Sequence, residues 1–140
     1  MRKFITTSKT QTQKLGENLA RELKGACPPK RRREIICLSG DLGAGKTTFT
    51  QGLLKGLKIK GPHTSPTFVI MKKYNDIYHF DAYRINEKDI LGLGWKEIIA
   101  DKNNIIIIEW AERVKNIIPK NALWIKFKWV GENSRELKFS

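Results

Sequence analysis

Eight consecutive residues, Gly40-Asp41-Leu42-Gly43-Ala44-Gly45-Lys46-Thr47, follow the pattern Gly-x-x-x-x-Gly-Lys-[Ser/Thr], whose chemistry is that of holding a triphosphate. Glycines let the backbone curl until successive amide hydrogens point inward as a nest for an anion. A helix starting straight after the loop adds the positive end of its dipole at the same place. Lys46 then brings an ammonium to the outer phosphates, the Thr47 hydroxyl is a ligand for Mg2+, and Thr48 reaches an inner phosphate. Asp41, Leu42, Gly43, Ala44, Gly45, Lys46, Thr47 and Thr48 are the expected contacts of the nucleotide, and Lys46 is also the expected electrostatic catalyst. With glycine at about 7% of residues, a chance match in a chain this short is on the order of one per cent, so the motif outweighs the alternative of a ligand-free glycine turn.

A bound Mg2+ calls for a carboxylate at the end of a neighbouring buried strand. Ile105-Ile106-Ile107-Ile108-Glu109 supplies one, with Glu where Asp is usual, and Ile77-Tyr78-His79-Phe80-Asp81 supplies another. One would hold the metal directly or through water and the other would orient the attacking water; the residues leave the assignment of Asp81 and Glu109 open. The segment His63-Thr64-Ser65-Pro66-Thr67-Phe68 reads either as a hydroxyl-rich sensor of the outer phosphate, through Ser65 and Thr67, or as a proline-directed turn entering a strand. Trp110 is a stacking candidate or partial core. Arg84, Arg113 and Arg135 are candidates for phosphate or partner contacts, with surface ion pairing as the commoner fate of such residues.

The elements that must position these residues alternate. Leu15, Leu19 and Leu23 predict an amphipathic helix over Thr10–Leu23, with Thr10 and Gln13 in capping-box positions. A loop with Pro28-Pro29 and the basic run Lys30-Arg31-Arg32-Arg33 follows, read as solvated rather than bound to a nucleic-acid backbone. Glu34–Ser39 is a buried strand, and Phe49, Leu53, Leu54 and Leu57 predict a helix over Thr47–Lys58. Thr67–Tyr74 and Ile77–Phe80 flank the turn Asn75-Asp76 as paired strands; Glu87–Ala100 is helical with a break near Gly92 and Gly94. Ile105–Ile108 is a second buried strand, Ala111–Ile118 a short helix stopped by Pro119, and Leu123–Val130 with Arg135–Phe139 a closing hairpin. The expected fold is α/β: a single P-loop NTPase domain over residues 1–140, three-layered, with a central mixed, mostly parallel sheet and a C-terminal hairpin.

Composition bounds the reading. The 140 residues suffice for one core, and 40% hydrophobic content is globular rather than disordered. Lys plus Arg number 27 against 14 Asp plus Glu, a net charge of +13, whose field attracts nucleotides, nucleic acid or acidic proteins without choosing among them, and which serves solubility equally well. The start of the chain turns polar after Phe4-Ile5 and lacks the apolar stretch of a signal peptide, and no apolar run approaches the ~20 residues of a membrane span, so a cytoplasmic protein with no membrane partner is expected. Cys27 and Cys37 alone make no zinc site, and Cys37 reads as a packed thiol.

Four motifs then occur in order: Gly40–Phe49, Ser65-Pro66-Thr67-Phe68, His79-Phe80-Asp81-Ala82-Tyr83-Arg84 and Ile108-Glu109-Trp110-Ala111-Glu112-Arg113. Together they resemble the bacterial TsaE (YjeE) family over nearly the whole chain. The resemblance implies a weakly active, partner-stimulated ATPase using ATP and Mg2+. It would act with TsaB and TsaD in placing threonylcarbamoyl on an anticodon-loop adenosine of tRNAs that read A-starting codons. The transfer chemistry would belong to TsaD, and tRNA would be met through the complex or the basic surface. It also implies Thr47 and Glu109 as metal ligands with Asp81 close by, Ser65-Pro66-Thr67 as a switch-like loop, Trp110 beside the nucleotide, and the segment Thr6–Thr10 and Arg135 near the adenosine.

Rival classes fare worse. A GTPase needs an Asn/Thr-Lys-x-Asp motif that is missing, and Asp89-Ile90-Leu91-Gly92 follows no apolar strand. A small-molecule kinase needs a lid and an acceptor pocket for which the chain leaves little room. A module that binds ATP only to gate assembly would not require Asp81 and Glu109.

Overall fold

Ile35-Ile36-Cys37-Leu38 and Ile105-Ile106-Ile107-Ile108 are apolar on both faces and too short for amphipathic helices. Both are strands in the computed structural model, which describes residues 2–24, 34–40, 43, 45–59 and 70–140. The elements run β1 (Arg2–Thr6), α1 (Lys9–Lys24), β2 (Glu34–Gly40), α2 (Lys46–Gly56), β3 (Met71–Tyr74), β4 (Ile77–Asp81), α3 (Glu87–Leu91), α4 (Trp95–Ala100) and β5 (Ile105–Glu109). A 3-10 segment (Ala111–Ile117) and the hairpin β6 (Leu123–Trp129) and β7 (Arg135–Phe139) follow. The fold class is α/β with mixed strand pairing and a C-terminal hairpin, as the sequence predicts. No helix among the described residues is long and apolar enough to cross a membrane.

The chain clusters into two compact units. The first takes in Met1–Lys30, Gly40–Ser65 and Lys126–Phe139; the second takes in Arg31–Ser39, Pro66–Ile125 and Ser140.

In the first unit the strands lie in the order β1-β7-β6, with β1 antiparallel to β7 so that Phe4 pairs with Leu137 and Thr6 with Arg135. Strand β1 is absent from the sequence-based expectation, because only Phe4 and Ile5 in it are apolar. It forms as a charged edge, with Arg2 and Lys3 exposed, Phe4 edge-on to Phe139 at 5.3 Å and Thr6 buried. Helix α1 begins one residue before the expected cap. Ser8 accepts from the Gln11 amide at 3.1 Å, and the Gln11 side chain in return accepts from the Thr7 amide at 2.6 Å, so Ser8 and Gln11 take the capping role expected of Thr10 and Gln13. Helices α1 and α2 cross where Gly52 meets Gln13; a β-carbon on Gly52 would stand 1.9 Å from the Gln13 carbonyl oxygen. Phe49, fully buried on α2, lies edge-on to Phe127 and Phe139 at 5.5 and 6.4 Å, and its truncation to Ala would cost about 3–5 kcal/mol.

In the second unit the order is β2-β5-β4-β3. Strands β2 and β4 both run parallel to β5, in registers that set Leu38 and Asp81 each opposite Glu109. Strand β3 is antiparallel to β4 across the Asn75-Asp76 turn, where Asn75 takes a φ of 58°. Alternate residues separate into two faces. Ile35, Cys37, Phe80, Ile106 and Ile108 share one core with Ile90, Trp95 and Ile98 of the short helices α3 and α4. Ile36, Leu38, His79, Ile107 and Glu109 alternate with them and are all buried. The break expected near Gly92 and Gly94 separates α3 from α4, and the short helix after β5 is a 3-10 segment ending at Ile117.

Candidate nucleotide and catalytic residues

The phosphate-loop candidates lie in the first unit. Strand β2 ends at Gly40, whose φ of 122° and whose closeness to the Phe127 carbonyl, 2.0 Å from an added β-carbon, exclude any side chain. Gly45 has φ 97°, a left-handed conformation costly for other residues, and immediately precedes α2 without a side-chain cap. The turn therefore runs straight into the N-terminus of an eleven-residue helix, the positive end of its dipole. Gly43 is also left-handed, with φ 74°. Lys46 opens the helix and is 5% exposed; its ammonium donates to the Gly40 carbonyl at 2.7 Å, a bond that closes the turn on itself. Thr47 is exposed and Thr48 half-buried. Asp41, Leu42 and Ala44 lie outside the described residues, as do Ser65 and Thr67 with the rest of their loop, the basic run Lys30–Arg33, and Cys27.

Arg135 joins this turn. Its Nε donates to the Gly43 carbonyl at 3.2 Å, while Nη1 donates to the carbonyls of Gly131 and Ser134 at 3.0 Å each. The guanidinium carbon lies 5.1 Å from the Trp129 ring centre. The fate of Arg135 is thus to bind main-chain carbonyls of its own hairpin and of the phosphate turn. The hydroxyls of Thr6 and Thr12 bond each other at 2.7 Å in a buried position, and the Thr12 methyl stands 3.5 Å from where a Gly45 β-carbon would be. Arg135 is therefore bonded to the turn at Gly43, while Thr6 is linked to it only by way of Thr12. Thr12 is a residue that sequence reasoning missed; its signal is its place on the buried face of α1 with Gly16 and Ala20, at four-residue spacing.

The carboxylate candidates lie in the second unit. Strand register makes Asp81 and Glu109 cross-strand neighbours, yet their surroundings differ. Glu109 is 2% exposed, and His79 Nε2 lies 2.6 Å from its Oε2. Asp81 is half-buried and accepts from the Tyr83 amide at 2.9 Å, an Asx turn that ends β4. His79 was not singled out as a functional residue. Directly after Glu109, Trp110 holds φ 60° and ψ 38°, a strained conformation for a bulky residue of the kind that gathers at functional sites. Its ring is 4.8 Å from that of Tyr83, and the Arg113 guanidinium carbon lies 5.1 and 5.6 Å from the two ring centres. Trp110 thus both packs against the core of this unit and stacks on Tyr83, and Arg113 lies over these two rings. Cys37 is packed as expected, and burial pushes its thiol from 9.0 up to about 12. Among the described residues, no three His, Cys, Asp or Glu side chains converge as a metal site.

Known proteins resemble this chain in sequence and in fold. A family model described as "Threonylcarbamoyl adenosine biosynthesis protein TsaE" matches residues 6–137. A Bacillus subtilis protein named tRNA threonylcarbamoyladenosine biosynthesis protein TsaE is 40% identical over 112 residues, 76% of this chain and 69% of that one. The protein of the same name from Aquifex aeolicus is 35% identical, with 99% and 95% of the two chains covered. The crystal structure of Bacillus subtilis YdiB superposes with a TM-score of 0.79 at 32% identity, covering 99% of this chain and 83% of the other.

Proposed function

The chain belongs to the TsaE family of tRNA threonylcarbamoyladenosine biosynthesis proteins, and from that premise we propose that it is a Mg2+-dependent ATPase of weak intrinsic activity that serves this modification as an accessory subunit. In this reading residues 1–140 work as one P-loop domain in the cytoplasm, on an assembly of TsaB and TsaD, with tRNA met through that assembly or through the basic surface. The observation that carries the nucleotide assignment is the turn at the start of α2: two left-handed glycines, a helix N-terminus without a side-chain cap, and a buried Lys46 whose ammonium is bonded to Gly40.

The residues divide the work. Amides of Gly43, Gly45, Lys46 and Thr47, with Asp41, Leu42, Ala44 and Thr48 in the same loop, form the cradle for the phosphates. On binding, the Lys46 ammonium exchanges the Gly40 carbonyl for the outer phosphate oxygens and stabilises the charge that spreads over them during transfer to water. Thr47, Glu109 and Asp81 are hard oxygen donors of the kind Mg2+ takes beside phosphate, and so fit the metal. When bound, Mg2+ neutralises charge between the outer phosphates. Glu109 or Asp81 orients the attacking water and receives its proton. Ser65 and Thr67 sense the outer phosphate, while Trp110 and Arg135 complete the nucleotide contacts.

The test is calorimetry with ATP·Mg and phosphate release, for the parent protein and Lys46→Ala, with and without TsaB–TsaD and tRNA. Lost binding or turnover in Lys46→Ala and a rise in hydrolysis with the partners are expected. Unchanged binding in the variant would overturn the loop assignment. Binding without any hydrolysis in the full assembly would leave a gate rather than an ATPase.

A further inference from the structure

His79 sits in the middle of β4, 1% exposed, on the face that also carries Glu109 and Asp81. The parallel register sets it opposite Ile107, from which its ring reaches diagonally to the end of β5. There Nε2 stands 2.6 Å from Glu109 Oε2, a charge-assisted length for an N–H donor on a carboxylate. The other ring nitrogen, Nδ1, is the one buried side-chain polar atom among the described residues without a hydrogen-bond partner.

This is a poor arrangement for stability alone. A buried ring nitrogen without a partner is costly, and an apolar pair of similar volume commonly serves a core as well as a buried polar one. What the pair does supply is orientation: with its neighbours on β4 and β5 fixed by the ladder, the imidazole leaves the carboxylate little freedom to turn. We propose that His79 is a positioning residue for Glu109. In the neutral Nε2–H tautomer it donates to Oε2 and holds the carboxylate in one orientation for its work on bound Mg·ATP. The inference rests on the role given to Glu109 under the proposed function. It involves no proton transfer, and it separates the two carboxylates: Glu109 is locked by a side chain, while Asp81 is held by the Tyr83 amide.

Three readouts test it on the full chain. Imidazole 15N shifts should report a protonated Nε2 and a bare Nδ1 for His79; the opposite tautomer overturns the proposal. Mn2+ titrations followed by electron paramagnetic resonance, with a non-hydrolysable ATP analogue bound, should show His79→Leu weakening the metal about 10–100-fold while metal-free ATP affinity stays within about threefold. Turnover should fall, and the KM for Mg·ATP should rise by about the factor lost in metal affinity. His79→Gln, which returns an N–H near the position of Nε2, should recover most of both; a Gln variant as impaired as Leu overturns the idea. In a Glu109→Gln background, His79→Leu should add nothing, whereas multiplying losses would mean that His79 does not act through Glu109. If Glu109→Gln alone matches the parent protein in metal affinity and turnover, the role of Glu109 itself fails. If Glu109→Gln is impaired and His79→Leu is not, the positioning inference alone falls. Should His79→Leu fail to fold, His79→Asn, too short to reach Glu109, takes its place against Gln, and equal behaviour of the two refutes the proposal.

Discussion

Lys46 in the first unit and Glu109 in the second are both ionisable and both nearly sealed from solvent, at 5% and 2% exposure, but they are held by opposite means. The Lys46 ammonium is bonded by a main-chain carbonyl six residues earlier, within a turn whose shape is dictated by left-handed glycines and a helix start. Glu109 is bonded by a side chain 30 residues earlier, brought within reach only by the parallel pairing of β4 and β5. The first arrangement is written locally and survives wherever the eight-residue motif survives. The second depends on a strand register, where a slip of one residue between β4 and β5 would leave His79 and Glu109 on opposite faces of the sheet. Charge placement by main chain suits the binding of a common phosphate tail, and placement by cross-strand side chains suits a single demanding step.

Breaking each arrangement separately tests that division. Lys46→Ala should have the largest effect, lowering turnover about 10²–10³-fold and weakening ATP in calorimetry, because it removes the cation from the phosphates. Glu109→Gln comes next. Its turnover in single-turnover assays should fall by about 10²-fold with metal-free ATP affinity kept, since the carboxylate acts on the metal and the transition state and not on the nucleotide itself. Asp81→Asn should lower turnover less, because the Asn oxygen still accepts from Tyr83 and keeps the turn. Gly45→Ala strains the left-handed residue by about 1–2 kcal/mol and should reduce ATP affinity and melting temperature modestly. The smallest effect concerns pH. The Cys37 thiol is raised by burial to about 12, so its stabilising contribution is complete below 9.0 and lost as pH rises toward 12. In denaturant titrations the parent protein should lose stability relative to Cys37→Ala over that window and not below it.

Local chemistry explains what the sequence makes legible. The glycine motif, the buried strands β2 and β5, the break at Gly92–Gly94 and the C-terminal hairpin are contiguous patterns, and all are present. Strand β1 was hidden because its partners lie at the far end of the chain, in β7, and an edge strand with Arg2 and Lys3 carries little apolar signal. The α1 cap is at Ser8, where Thr7 and Ser8 together make three hydrogen bonds with Gln11. His79 and Thr12 escaped notice for a shared reason: a polar residue on a buried face carries meaning only once its distant or next-element neighbour is known.

The central claim, that the main chain of this turn cradles a polyphosphate, is tested most directly by titrating ATP·Mg into 15N-labelled protein and following amide resonances. The account predicts the largest shifts at Gly43, Gly45, Lys46 and Thr47, and their loss in Lys46→Ala. Saturating ATP·Mg that leaves those four amides unmoved would contradict it.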